Sequence, residues 1–269
     1  MRLITITTDF GVESEGPGIM EATMFAICPA ARVVHLCHSV TSFSTLEGAR
    51  QLECAVALKM PAIHIAVIDP GVGTARRAVV LTLGGDVLLV GPDNGVLIPA
   101  AHKGGGILTA REIANPLMLR LPVSPTFHGR DVFASVAAHL AAGAPIDSVG
   151  PALPASELVE APYTSARWLA NSLTATVIRV NSFGNCILNV SEDDVHGNVE
   201  RFSVLHLKRG AALLGPVVVA STFGSVPVGS LLVYPDSYGR VGIAANQGNV
   251  AKRLSLAVGD QISLERTTP

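Results

Sequence analysis

The hydrophobic period changes once along the chain, and that change limits the folds open to it. Before residue 145, strand-length apolar runs alternate with helix-length segments; after residue 162 only strand-length runs occur. Residues 3–9, Leu-Ile-Thr-Ile-Thr-Thr-Asp, alternate as a strand does. Residues 19–27 predict a helix stopped before Pro29, 32–36 a short strand, and 45–58 a helix with Glu47 in its first turn. Ala62–Val67 has the length and β-branching of a buried strand. Strands over 78–83 and 87–90 flank a hairpin turn at Gly84-Gly85-Asp86. An alanine-rich helix follows over 132–142 and ends at Gly143. This alternation predicts an α/β N-terminal domain, a mixed sheet flanked by helices.

Residues 145–162 are rich in Pro, Ala, Ser and Glu and read as a linker. Beyond them, strands are expected over 175–180, 186–190, 201–207, 216–220, 230–234, 241–245 and 261–264. Their even spacing between turn residues predicts a smaller all-β, barrel-like C-terminal domain without helices. The domains are placed at 1–160 and 174–269, joined by 161–173.

Within this frame, residues 68–77, Ile-Asp-Pro-Gly-Val-Gly-Thr-Ala-Arg-Arg, stand out. Asp69 falls where the strand before it ends. Pro70 stops the ladder, and Gly71 and Gly73 let the backbone turn tightly. Ligands of open α/β sheets bind at the carboxyl ends of strands. A carboxylate with Arg76 or Arg77 beside it therefore reads as a site, or more simply as a capped turn with a surface arginine. Asp9 is a second carboxylate at a strand end, and His128 precedes a helix, where it either packs or acts. Gly91-Pro92-Asp93-Asn94-Gly95 reads as a structural turn close to strand ends.

Composition and motif absences narrow the chemistry. Apolar residues make up 49% and charged residues 15%, with a net charge of -2 and no basic stripe, which argues against nucleic acid as a partner. No apolar run approaches membrane-span length. The chain opens directly into a strand pattern, so no signal peptide is expected. Cys28, Cys37, Cys54 and Cys186 lack C-x-x-C spacing, so reduced thiols in a cytoplasmic protein, and no metal site, are expected. No dinucleotide, Walker, serine-hydrolase or zinc-protease motif is present.

Taken together, several stretches resemble one family. They are Thr8-Asp9-Phe10-Gly11, Leu46-Glu47-Gly48-Ala49, Asp69 to Thr74 with Arg76, Gly91 to Gly95, and Phe127-His128-Gly129-Arg130-Asp131. In the second half Phe183-Gly184-Asn185, Ser237-Tyr238-Gly239 and Ile243-Ala244-Ala245-Asn246 follow in order. The set resembles the S-adenosyl-L-methionine (SAM) hydroxide adenosyltransferases, relatives of the fluorinating and chlorinating enzymes. The resemblance implies attack of water or hydroxide on ribose C5′, giving adenosine and methionine, with no cofactor beyond the substrate itself. It implies a homotrimer with active sites between subunits. It carries the catalytic triad onto Asp69, Arg76 and His128, and the grip on the ribose hydroxyls onto Asp9. Asn185, Ser237, Tyr238 and Asn246 match adenine and methionine ligands from the β domain. Phe43, Phe127, Phe183 and Phe223 are the candidate aromatic lining, with core packing as their alternative role.

Two stretches depart from the pattern. Ser14 and Gly16 stand where relatives usually carry an acidic residue and an aromatic, with Glu13 and Glu15 as nearby substitutes. Asn181 stands where relatives usually carry Asp. Two other functions stay open on this reading. One is a halogenase using the same substrate, disfavoured because Asp69 replaces a tyrosine. The other is a non-catalytic SAM- or adenosine-binding protein.

Overall fold

Strand β1 (Leu3–Thr8) puts Ile4 and Ile6 on one face and Thr5 and Thr7 on the other, and all four are buried. A strand buried on both faces needs cover on both, which a helix-flanked sheet supplies. The computed structural model, which describes residues 2–200 and 203–266, has that arrangement. It divides into two compact units, Met1–Pro162 and Tyr163–Pro269.

In the first unit β1 is followed by α1 (Gly16–Ile27), β2 (Arg32–Cys37), α2 (Thr45–Val56), β3 (Ala62–Val67), β4 (Ala78–Thr82) and β5 (Leu88–Pro92). Then come α3 (Ile98–Lys103), β6 (Thr109–Glu112), α4 (Ser135–Ala141) and β7 (Ala152–Leu153). The strands form one mixed sheet in the order β2-β1-β3-β5-β4-β6-β7. Strands β2, β1, β3 and β5 are parallel, and β4, β6 and β7 run antiparallel to their neighbours. The chain leaves β1 toward β2 on one side, then crosses back to β3 on the other. This reversal opens a crevice between the carboxyl ends of β1 and β3. Thr8 pairs with Val67 there, so Asp9 and Asp69 leave the sheet side by side.

Met20 and Met24 of α1 close over Ile4, Ile6, Ile63 and Ile65 together with Val136, Ala137 and Leu140 of α4. Helix α2 starts with a variant capping box. Ser44 Oγ accepts from the Glu47 N–H at 3.3 Å, and Glu47 Oε2 reaches back to the Thr41 N–H at 3.0 Å.

The second unit contains β8 (Trp168–Leu169), β9 (Ser172–Val180), β10 (Cys186–Ser191), α5 (Glu192–His196), β11 (Val204–Arg209) and β12 (Ala212–Val219). It continues through β13 (Leu231–Pro235), β14 (Arg240–Ala245), α6 (Val250–Leu254) and β15 (Gln261–Arg266). The ladder β10-β14-β13-β12-β11-β15-β9 closes through a β9–β10 pairing into a seven-stranded barrel, and β8 pairs on β9 outside the ring. Alternate residues fill its interior: Leu173, Ala175 and Val177 from β9, Leu205 and Leu207 from β11, Ile262 and Leu264 from β15.

Some expectations need correction. Residues 145–162 are not a linker but part of the first unit: β7 pairs with β6, and the Val159 N–H donates to Asp93. Residues 161–173 hold β8, the start of β9 and the buried Tyr163. The barrel unit is not free of helix. Helices α5 and α6 are about one turn each, started by the Ser191 and Asn249 side chains, and too short to show a period. The segment expected as a strand over 201–207 is a strand from Val204; residues 201–202 lie outside the described residues.

Candidate active site

The Asp69 loop closes on itself because Gly73 allows it. Gly73 has φ +77°, and a Cβ there would lie 2.5 Å from the Pro125 carbonyl oxygen. The tight turn returns Arg76 onto Asp69. Arg76 Nε donates to Asp69 Oδ1 at 2.9 Å and Oδ2 at 3.1 Å, while Nη2 donates to Oδ2. The same Nη2 donates to His128 Nδ1 at 2.7 Å. The buried Phe133 ring packs against the guanidinium, 5.3 Å from its carbon. The Asp69 and Arg76 side chains are only 5% and 10% exposed. A fork of this kind keeps a carboxylate ionised and oriented.

A guanidinium has only donors, so His128 Nδ1 must be bare, and the proton of the neutral ring sits on Nε2. Burial first, and then the Arg76 charge, hold the His128 pKa below the usual histidine value; Asp69 and Asp131 pull weakly the other way. His128 opens a π-helical turn, Gly129–Ala134, that leads into α4. Asp131 anchors this turn from beneath. Its Oδ2 accepts from the Ser124 N–H at 2.8 Å, its Oδ1 from Arg120 at 3.1 Å, and Arg130 forks onto both oxygens. Burial alone would raise the Asp131 pKa; the bonds from Arg130, Ser124 and Arg120 outweigh it and hold it below the carboxylate value.

Arg77 takes another course. Its Nε donates to Asp93 Oδ2 at 2.9 Å, and it also pairs with Glu157. The geometry therefore assigns Arg76, not its neighbour, to Asp69.

Asp9 Oδ2 accepts from the Phe43 N–H at 2.8 Å. Phe43 sits at φ +66° with its side chain 73% exposed. A bulky residue in the left-handed region is strained and typical of ligand-binding loops. Asp9, Phe43, Asp69, Phe127 and His128 all line one cleft of about 260 Å³, with Phe10, Val72 and Thr126 among its other walls. Phe10 meets Phe127 edge-on at 6.0 Å. Gly16 is needed under that ring, since a Cβ there would fall 2.7 Å from Phe10 Cδ2. The adjacent Ser14 accepts from the Gly16 N–H at 3.1 Å.

Sequence reasoning missed three supports of this cleft. Asn94 Nδ2 donates to the Ile68 carbonyl at 2.8 Å and so fixes the residue before Asp69. Phe133 backs Arg76, and Phe10 lines the cleft. Asn94 and Phe10 had a signal, each lying in a stretch that carries the family resemblance; Phe133 had none.

The other candidates lie in the barrel unit and are described within it. Phe183 and Asn185 occupy the β9–β10 turn, Phe183 75% exposed and Asn185 buried. Asn181 shapes that turn, its Oδ1 accepting from the N–H groups of Phe183 and Asn185 at 3.0 Å each. An amide oxygen serves as well as a carboxylate there, which accounts for Asn at that position. Ser237 and Tyr238 lie in the turn before β14, pinned by Asp236 Oδ1 on the Tyr238 N–H at 2.8 Å. Asn246 follows β14 and donates to the Val226 carbonyl at 2.7 Å. Phe223, 41% exposed, packs on Tyr234 with 4.8 Å between ring centroids. Thus Ser237 and Tyr238 stand at one end of β14, and Asn185 and Asn246 at the other. Among the described residues, no three His, Cys, Asp or Glu side chains are grouped to hold a metal ion, and no helix is long and apolar enough to cross a membrane.

A pinned carboxylate beside a neutral imidazole, at the carboxyl edge of a parallel sheet, can orient a water molecule and take its proton. A helix-flanked sheet carrying this constellation, followed by a β-barrel, defines a class of two-domain enzymes. The chain belongs to the SAM hydroxide adenosyltransferase family: residues 4–150 match its N-terminal domain and 175–263 its C-terminal domain. It is 41% identical to an "(R)-S-adenosyl-L-methionine hydrolase" of Salinispora arenicola, over 96% of each chain. A fluorinase of Nocardia brasiliensis is 24% identical, over 98% of this chain and 96% of that one. The solved structure of an uncharacterized conserved protein from Thermotoga maritima superimposes with a TM-score of 0.91 at 33% identity, covering 98% of this chain and 100% of that one.

Proposed function

We propose that this chain hydrolyses S-adenosyl-L-methionine to adenosine and L-methionine by attack of water on ribose C5′. The observation that carries the reading is the Arg76 fork, which joins Asp69 and His128 in one unit at the edge of the cleft. Bulk water is a poor nucleophile near neutrality, and positioned proton transfer contributes roughly 10²- to 10⁴-fold. Asp69 is the proton acceptor. His128 has Nδ1 committed to Arg76, so its Nε2–H is the ring group left to orient the water oxygen. The leaving group needs no acid, because a sulfonium departs as a neutral thioether. Asp9 binds the ribose hydroxyls, in the ground state and the transition state alike.

The barrel ligands fit a long substrate. Strand β14 is six residues long, about 17 Å at about 3.4 Å per residue. A ligand touching both ends would place adenine at one and methionine at the other. The family resemblance and the exposed rings of Phe43 and Phe183 support a homotrimer with sites between subunits, and size measurement in solution should give three chains. The free cysteines support a cytoplasmic, reducing location. The test of function is incubation with SAM of each sulfur configuration and chromatography for adenosine and methionine. A sensor would bind SAM and release neither product.

A further inference from the structure

Behind the Asp9 turn runs a chain of four hydrogen bonds that the proposed reaction does not use. Strand β2 pairs with β1 at Ile6–His35 and then at Thr7–Cys37, so Leu36 is an extra residue in the ladder. Residues three apart on a regular strand face opposite sides; the bulge brings His35 and His38 to the same side. Their rings meet edge-on, with His35 Nδ1 and His38 Nε2 2.7 Å apart. His35 Nε2 lies 3.1 Å from Glu21 Oε2 on α1. His38 Nδ1 lies 3.0 Å from the hydroxyl of Thr8, which is fully buried and also accepts from the Phe10 N–H at 3.2 Å. The His38 carbonyl accepts from the Gly11 N–H at 2.7 Å. His38 therefore holds both sides of the turn that carries Asp9.

With neutral rings the direction of every bond is fixed. The Glu21 carboxylate can only accept, so His35 carries its proton on Nε2 and is bare at Nδ1. His38 must then donate from Nε2 and is bare at Nδ1. The Thr8 hydroxyl donates to that nitrogen, which leaves its lone pairs to the Phe10 N–H.

We propose that His38 is a positioning residue for Asp9: through Thr8 it fixes the turn that presents the ribose-gripping carboxylate, and His35 and Glu21 set its tautomer from the surface. The inference rests on the proposed hydrolysis of SAM. Asp9 holds the ribose equally before and during attack, so loosening its turn removes uniform binding and raises KM rather than lowering kcat.

Steady-state adenosine formation in the parent and four variants tests this. His38→Ala should raise KM for SAM about tenfold, the scale of one or two lost hydrogen bonds, with kcat within about twofold of the parent. Thr8→Val should reproduce that rise, and the double variant should add little to it. His38→Asn places an amide where Nδ1 stood and should bring KM back within about threefold of the parent. Unchanged KM in His38→Ala, a fall in kcat alone, or equal damage by Ala and Asn would each overturn the role. If the parent protein forms no adenosine, it is the hydrolase reading that fails. Calorimetric titration with adenosine then decides the positioning role, which requires weaker binding in His38→Ala and Thr8→Val and recovery in His38→Asn.

Discussion

Arg76 Nη2 donates to His128 Nδ1 at 2.7 Å, and this one bond fixes the tautomer of the histidine that lines the cleft. Protonating His128 would set an N–H against a guanidinium N–H. Burial and Arg76 hold its pKa below the usual histidine value, so the ring stays neutral through neutrality. Activity should therefore be flat above about pH 6.5 and fall only below the ordinary histidine range. A pH profile of kcat/KM checks this; an activity that rises as His128 protonates would contradict it.

The two adjacent arginines should separate cleanly. Asp69→Asn and Arg76→Ala should each lower kcat by roughly 10²- to 10⁴-fold while changing substrate affinity much less. Arg77→Ala should keep kcat near the parent value. It leaves the buried Asp93 short of its partner and should lower stability by about 2 kcal/mol in urea unfolding.

Gly73→Ala tests the loop. The added Cβ meets the Pro125 carbonyl at 2.5 Å in a backbone that disfavours side chains, so Asp69 must move. A loss of kcat of about 10²-fold is expected, the scale set by misplacing a reacting group by about 1 Å. A fully active variant would mean that the loop tolerates displacement.

Stability should fall as the pH drops from about 6.5 to about 4. His64 is buried with Nδ1 2.7 Å from the Thr5 hydroxyl, and burial pushes its pKa down to about 4. Between those values the unfolded chain binds the proton and the folded one does not, so acid favours unfolding. The full window is worth about 3 kcal/mol from this group, and His128 and His38 act in the same direction. Urea unfolding at pH 7 and 4.5 measures it. His64→Asn, which keeps a partner for Thr5, should remove the largest share of the loss.

The strand ends that carry Asp9 and Asp69 were legible because β-branched runs stop there at Gly or Pro. The choice between Arg76 and Arg77 was not, because it depends on Asp93, sixteen residues beyond Arg77. The segment 145–162 has linker composition, yet Asp93 binds the Val159 N–H and Gly95 lies under the Glu160 carbonyl. Such contacts are nonlocal and leave no periodic mark. Helix α3 escaped for a local reason: it has six residues, Ile98–Lys103, too few to show a period. The family motifs located the barrel residues, but only the register of β14 shows that they form two groups at its opposite ends.

Nucleophile choice separates a hydrolase from a halogenase. An ionised Asp69 about 4 Å from a halide would cost about 4 kcal/mol at an effective dielectric of about 20, nearly three decades in occupancy. Water has no such penalty and gains an acceptor. The measurement is incubation with SAM in oxygen-18 water containing high chloride, followed by mass spectrometry of the nucleoside product. Adenosine labelled at the 5′-hydroxyl, an equal amount of methionine, and little or no 5′-chloro nucleoside are expected. Unlabelled adenosine, a 5′-chloro product in place of adenosine, or bound SAM released unchanged would contradict the proposed hydrolysis.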